Sequence, residues 1–114
     1  MLKIEELKIG NYLYWANNQI TQVERLVKGE STGDIIINRG SNDMFTPIPL
    51  TEQWLLDFQF TGTHPKYTLG DIMIHWNDYI ELYFYGQYIR RIEFVHEIQN
   101  ICYWLTGEEL KISP

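Results

Sequence analysis

Phe94, Val95, Ile98, Ile101, Cys102 and Leu105 recur at the spacing that sets apolar side chains along one side of a helix. Gly107 stands just past them, where a helix ends in left-handed backbone. The spacing predicts a helix over 93–105, with Ile98, Ile101 and Leu105 facing a core. A helix of that length is marginal alone and needs an apolar surface to pack on. What the rest of the chain can fold into is limited by that need.

Residues 71–90 supply such a surface. Asp71-Ile72-Met73-Ile74-His75-Trp76 and Tyr79-Ile80-Glu81-Leu82-Tyr83-Phe84-Tyr85 read as two strands flanking a turn at Asn77-Asp78. Gly86-Gln87 then turns the chain into a third short strand around Tyr88-Ile89-Arg90. Alternation sets Ile80, Leu82 and Phe84 on the face that meets the helix, and Tyr79, Glu81, Tyr83 and Tyr85 on the other. A two-residue loop would add Trp76, Ile74 and Ile72 to the tyrosine face. An odd loop would add His75 and Met73 instead, and the absence of glycine in Asn77-Asp78 favours the odd loop.

The first half reads as short strands and tight turns. Asn11 to Trp15 is rich in β-formers, Ala16-Asn17-Asn18 turns, and Ile20 to Leu26 resumes as a strand. Gly29 to Gly33 connects to a strand at Asp34 to Asn38, and Arg39 to Asp43 is a further turn. Strands this short and close are expected to curl into a small sheet, and Ile9-Gly10-Asn11-Tyr12-Leu13 is similar to the first strand of many SH3-like barrels. Pro47-Ile48-Pro49 imposes extended backbone. Thr51 is placed to cap a short helix over Glu52 to Phe58, with Leu50 and Leu55 as a hydrophobic staple. Gly62, Pro65 and Gly70 mark a loop. The fold class is α+β: a strand-rich 1–46, then a middle helix, an antiparallel hairpin and a final helix in 47–114. A chain of 114 residues fits a single domain over 1–114.

Charge narrows the partners. The net charge is −6, and the acids are concentrated in the second half, where nine stand against four basic residues. A nucleic-acid backbone calls for clustered Lys and Arg, and Arg90-Arg91 is the only adjacent basic pair, so no nucleic-acid partner is expected. Met1 to Glu6 lacks the apolar region of a secretory leader, and no apolar run approaches the roughly 18 residues of a membrane span. No membrane partner is therefore expected. The lone Cys102 fits a reducing compartment, and a cytoplasmic location follows.

Catalytic chemistry finds little footing. His64, His75 and His96 lack the spacings that bring two ligands to one helical face, so neither metal nor cofactor is expected. His96 and Glu97 diverge as helical neighbours. Cys102 sits at core spacing, where a thiol packs as an inert hydrophobe. Neither a nucleophile elbow nor a phosphate loop occurs. Glu108-Glu109 read as solvated charge past a helix end. The tyrosines Tyr79, Tyr83, Tyr85 and Tyr88 remain, as core filling or as a protein-binding face.

Three segments carry a resemblance. Thr46-Pro47-Ile48-Pro49-Leu50-Thr51-Glu52, Val95-His96-Glu97-Ile98-Gln99-Asn100 and Leu105-Thr106-Gly107-Glu108-Glu109-Leu110 resemble a widespread group of small uncharacterised bacterial proteins met in prophage and mobile-element regions. The resemblance implies a bacterial or phage origin and brings no activity with it. The chain departs from that pattern at Cys102-Tyr103-Trp104, which bears on packing. The reading that follows is a non-enzymatic, phage-type accessory domain. It binds a protein partner or a second copy through Tyr79, Glu81, Tyr83 and Tyr85. One alternative is a small enzyme or ligand binder with a site around His75 and His96. Another is an acidic decoy that occupies a DNA-binding protein.

Overall fold

The computed structural model describes residues 7–15, 19–24, 26–28, 35–37, 40–41 and 45–112. Among them the order is β1 (Tyr12–Trp15), β2 (Gln19–Gln22), β3 (Leu26–Lys28), β4 (Ile35–Ile37), β5 (Gly40–Ser41), β6 (Thr46–Pro47) and α1 (Glu52–Asp57). Then come β7 (Thr61–Thr63), β8 (Lys66–Leu69), β9 (Ile72–Trp76), β10 (Ile80–Phe84), β11 (Gln87–Ile92) and α2 (Val95–Thr106). All strand pairs are antiparallel, in three sheets ordered β2-β1-β6, β3-β4-β5 and β11-β10-β9-β8-β7. The fold is α+β, as the sequence predicts. The turns expected at Ala16-Asn17-Asn18 and Gly29 to Gly33, and the segment Met1 to Glu6, lie outside the described residues.

The chain divides into two compact units, and neither is one continuous stretch. The first comprises residues up to Ile48 together with Phe94–Asn100, and the second Pro49–Glu93 together with the residues from Ile101 onward. The half-chains expected on either side of residue 46 nearly meet the first crossing, but 94–100 returns to the first unit.

In the first unit β1 is the central strand, with Leu13 buried between its neighbours Thr21 and Pro47. The strand expected over Ile20 to Leu26 is instead split. Pairing with β1 ends at Gln22, and Val23 turns both backbone groups back, donating to the Asn11 carbonyl and accepting from the Gly10 amide, each at 2.7 Å. Leu26–Lys28 then pairs with β4. Val23 is buried and Ile20 exposed, so these two apolar residues do not share one face. Among the described residues, the strands of this half pair in two three-stranded sets.

In the second unit α1 starts as expected. Thr51 Oγ1 accepts from the Trp54 amide at 3.4 Å, and Leu50 and Leu55 are both buried. Gln59, with φ of 76°, ends the helix in left-handed backbone. The expected loop around Gly62 and Pro65 is a further hairpin, β7–β8, turning at His64-Pro65 through a cis peptide bond. Gly62 makes it possible. Its φ is 129°, and a Cβ there would collide with the Lys66 carbonyl oxygen.

The β9–β10 pairing settles the loop between them. Trp76 pairs with Ile80, leaving the three-residue loop Asn77-Asp78-Tyr79, and His75 and Met73 face Glu81 and Tyr83. The odd loop is the one formed. Ile72, Ile74, Leu82, Tyr67 and Ile92 supply the buried face of the sheet, each contributing roughly 1.5–3 kcal/mol by leaving water. The final helix begins two residues later than expected, and Ile98, Ile101 and Cys102 are buried with Leu105 half-buried. Gly107, at φ of 76°, stops it by donating to the Tyr103 carbonyl at 2.7 Å.

Candidate functional site

The three segments that carry the resemblance are engaged in folding. In the first, the Ile48 carbonyl accepts from the Val95 amide at 2.8 Å, and the Leu50 amide donates to the Glu93 carbonyl at 2.9 Å. Glu52 Oε2 accepts from the buried Tyr67 hydroxyl at 2.7 Å. In the second, Glu97 Oε1 accepts from the Phe94 amide at 3.0 Å, which satisfies a donor at the start of α2. Gln99 is wholly buried. Its Oε1 accepts from the Tyr12 amide at 2.9 Å, and its Nε2 donates to the Gly10 carbonyl at 3.0 Å. Asn100 Oδ1 accepts from Asn11 Nδ2 at 2.7 Å, and Asn11 Oδ1 accepts from the Lys8 amide at 2.8 Å. In the third, Thr106 Oγ1 donates to the Cys102 carbonyl at 2.7 Å and accepts from the Glu108 amide at 3.1 Å.

The histidines are dispersed. His64 is exposed in the β7–β8 turn, and His75 is half-buried on β9, with Asn77 Nδ2 3.4 Å from its Nδ1. His96 is buried on α2, its ring stacked on Phe94 at 6.0 Å and 13°. Among the described residues no group of three His, Cys, Asp or Glu side chains is placed to hold a metal ion. Cys102 is buried, and desolvation pushes its thiol up to about 12. A thiol held protonated is a poor nucleophile. The native protein is therefore expected to resist an aromatic disulfide reagent at pH 8, and on denaturation to exchange with it and release one equivalent of the aromatic thiol. Modification of the native thiol at the rate of free cysteine would show that it is accessible.

The second unit offers a concave and an open feature. A depression of about 490 Å³ is lined by Ile72, Phe84, Tyr85, Cys102, Leu105 and Leu110, with Asp71, Glu108 and Glu109 also contributing to its lining. Trp104, on the same helix, is 70% exposed. The open feature is the outer face of the five-stranded sheet. The register aligns Thr68, Met73, Tyr83 and Tyr88 in one row, and Lys66, His75, Glu81 and Arg91 in the next. Tyr83 and Tyr88 meet edge to face at 5.6 Å. The Arg91 guanidinium lies 4.1 Å over the Tyr79 ring, holding that ring at the end of the charged row.

The four residues singled out by alternation are thus distributed unevenly. Glu81 and Tyr83 share the open face, and Tyr79 joins them from the loop through Arg91. Tyr85 departs from β10. It sits in a tight turn with φ of 51°, followed by Gly86 at 78°, and its amide donates to the Asp71 carbonyl at 3.1 Å. A hydrogen bond to the Asp71 carboxylate raises its hydroxyl above the usual tyrosine range. It lines the depression rather than the open face. Alternation fails there because a two-residue turn with positive φ at both positions takes the residue out of the pleat. Sequence reasoning missed the cations of this face. Lys66 belonged to an expected loop, and Arg91 lay beyond the expected third strand.

Among the described residues no helix is long and apolar enough to cross a membrane. Comparison with family models, with curated proteins and with solved structures gives no match to this chain.

Proposed function

We propose that the chain is a non-enzymatic interaction domain, of the phage or mobile-element type and cytoplasmic, that binds another protein through the open face of its five-stranded sheet. The observation that supports this reading most is the pair of rows on that face, aromatic beside charged, in a unit whose resemblance-bearing segments are occupied with caps and tethers. Tyrosine offers large amphipathic area at small entropic cost, and such residues are enriched where proteins meet. A decoy of nucleic acid would want carboxylates in rows, whereas the charged row here holds one carboxylate among Lys66, His75 and Arg91.

The test is Tyr83→Arg. Tyr83 is half-buried on the open face, so the variant should keep the wild-type circular dichroism and melt. A partner retained by the wild-type protein, or self-association seen by light scattering, should weaken at least tenfold. A folded variant that keeps its association would overturn the assignment of this face, and an unfolded one would assign Tyr83 to the core.

A further inference from the structure

The five-stranded sheet ends on one side at β11, whose residues Gln87 to Arg91 are all exposed. Sheet edges present backbone donors and acceptors in a row, ready to pair with another strand. The opposite edge, β7, is three residues long and built around Gly62. Only β11 has the length to template an added strand.

Its charge is distinctive within an acidic unit. Of the four basic residues in the second unit, Arg91 and Lys66 belong to the open face and Arg90 to the other side of β11, whereas of its eight acids only Glu81 belongs to the open face. Tyr88 and Tyr79 flank Arg91, each more than half exposed. The same features exclude other occupants. Antiparallel pairing of two copies along β11 would bring four guanidinium groups to one seam, and like charges there repel.

We propose that β11 takes up an extended acidic segment of a partner protein as a sixth strand, with backbone pairing along the edge. Carboxylates on one face of the segment meet Arg91 beside Tyr88 and Tyr79, and its apolar side chains point to the other face. This deepens the proposed function and rests on it.

The experiment uses the full chain and two labelled ten-residue peptides, one alternating glutamate with valine and one alternating lysine with valine, followed by fluorescence anisotropy. The acidic peptide should bind, and more weakly as salt rises. Arg91→Glu should reduce its affinity tenfold or more, while Lys111→Glu, an equal change of charge away from this face, should alter it less than twofold. Hydrogen exchange should slow at the amides of 87–92 in the complex. Equal binding of both peptides, no binding of the acidic one at millimolar concentration, equal losses in the two variants, or protection confined to other strands would each overturn the proposal. If a partner is lost on Tyr83→Arg but the acidic peptide never binds, only the sixth-strand proposal fails. If Tyr83→Arg leaves association intact, the face itself is wrongly assigned.

Discussion

Tyr67→Ala is expected to cost about 3–5 kcal/mol of folding free energy, the range for emptying a large aromatic site in a core. Tyr67 is fully buried, meets the Trp76 ring edge-on at 6.5 Å, and places its hydroxyl on Glu52. Tyr67→Phe keeps the ring and should lose only the charged hydrogen bond, roughly 1.5–3 kcal/mol. Alkaline pH separates the two contributions. Burial, then the hydrogen bond and negative charge of Glu52, push the Tyr67 hydroxyl up to about 12 from its ordinary 10. The unfolded chain therefore releases this proton first. The stabilisation is whole below pH 10 and is lost as pH climbs through 12. The gap between wild type and Tyr67→Phe should narrow over that window in denaturant titrations. Cys102 drives the same trend in both proteins and cancels in the difference. A gap that stays constant from pH 8 to 12 would place the hydroxyl in water.

Gln99→Ala is expected to cost about 3 kcal/mol, because it opens a cavity and takes the side-chain acceptor from the Tyr12 amide. The Gly10 carbonyl keeps Gln22 Nε2 at 3.0 Å, so the loss there is partial. Gln99→Glu is the sharper variant. Its carboxylate would still accept from Tyr12 but would confront the Gly10 carbonyl, raising the carboxyl's pKa in the folded state. Its stability should approach that of wild type as pH is lowered and fall behind as pH rises through that raised value. Urea denaturation at pH 5 and pH 7.5 reads this directly. Equal deficits at both values would mean that Gln99 contributes volume alone.

The parts of the fold read correctly from sequence are those whose signals are local. The helix carrying Ile98 and Ile101, the Thr51 cap and the Gly107 stop each depend on a few neighbouring residues. The β9–β10 register was legible because the Asn77-Asp78 pair disfavours a two-residue loop. The β7–β8 hairpin was not, since glycine and proline mark loops and tight hairpins alike, and only the approach of Lys66 to Gly62 distinguishes them. Gln99 and Asn100 stand outside the apolar spacing that marks the helix. Their role rests on partners roughly ninety positions away, which no periodicity reports. The candidate face was half legible. Glu81 and Tyr83 followed from alternation, whereas Tyr85 left it at a turn, and Arg91 entered through a cross-strand pairing.

The interleaving of the two units bears on how the chain acquires its structure during synthesis. Residues up to Ile48 emerge from the ribosome well before Phe94–Asn100, which complete their unit, and all of Pro49–Glu93 is made in between. That middle segment in turn waits for the residues from Ile101 onward. The usual order, in which an N-terminal unit folds while the rest is still being translated, is held back here until Asn100 has been made. Neither unit has its full set of residues until Phe94–Asn100 and the residues that follow have been made. Until then the Tyr12 amide and the Asn11 side chain lack the partners that Gln99 and Asn100 bring to them.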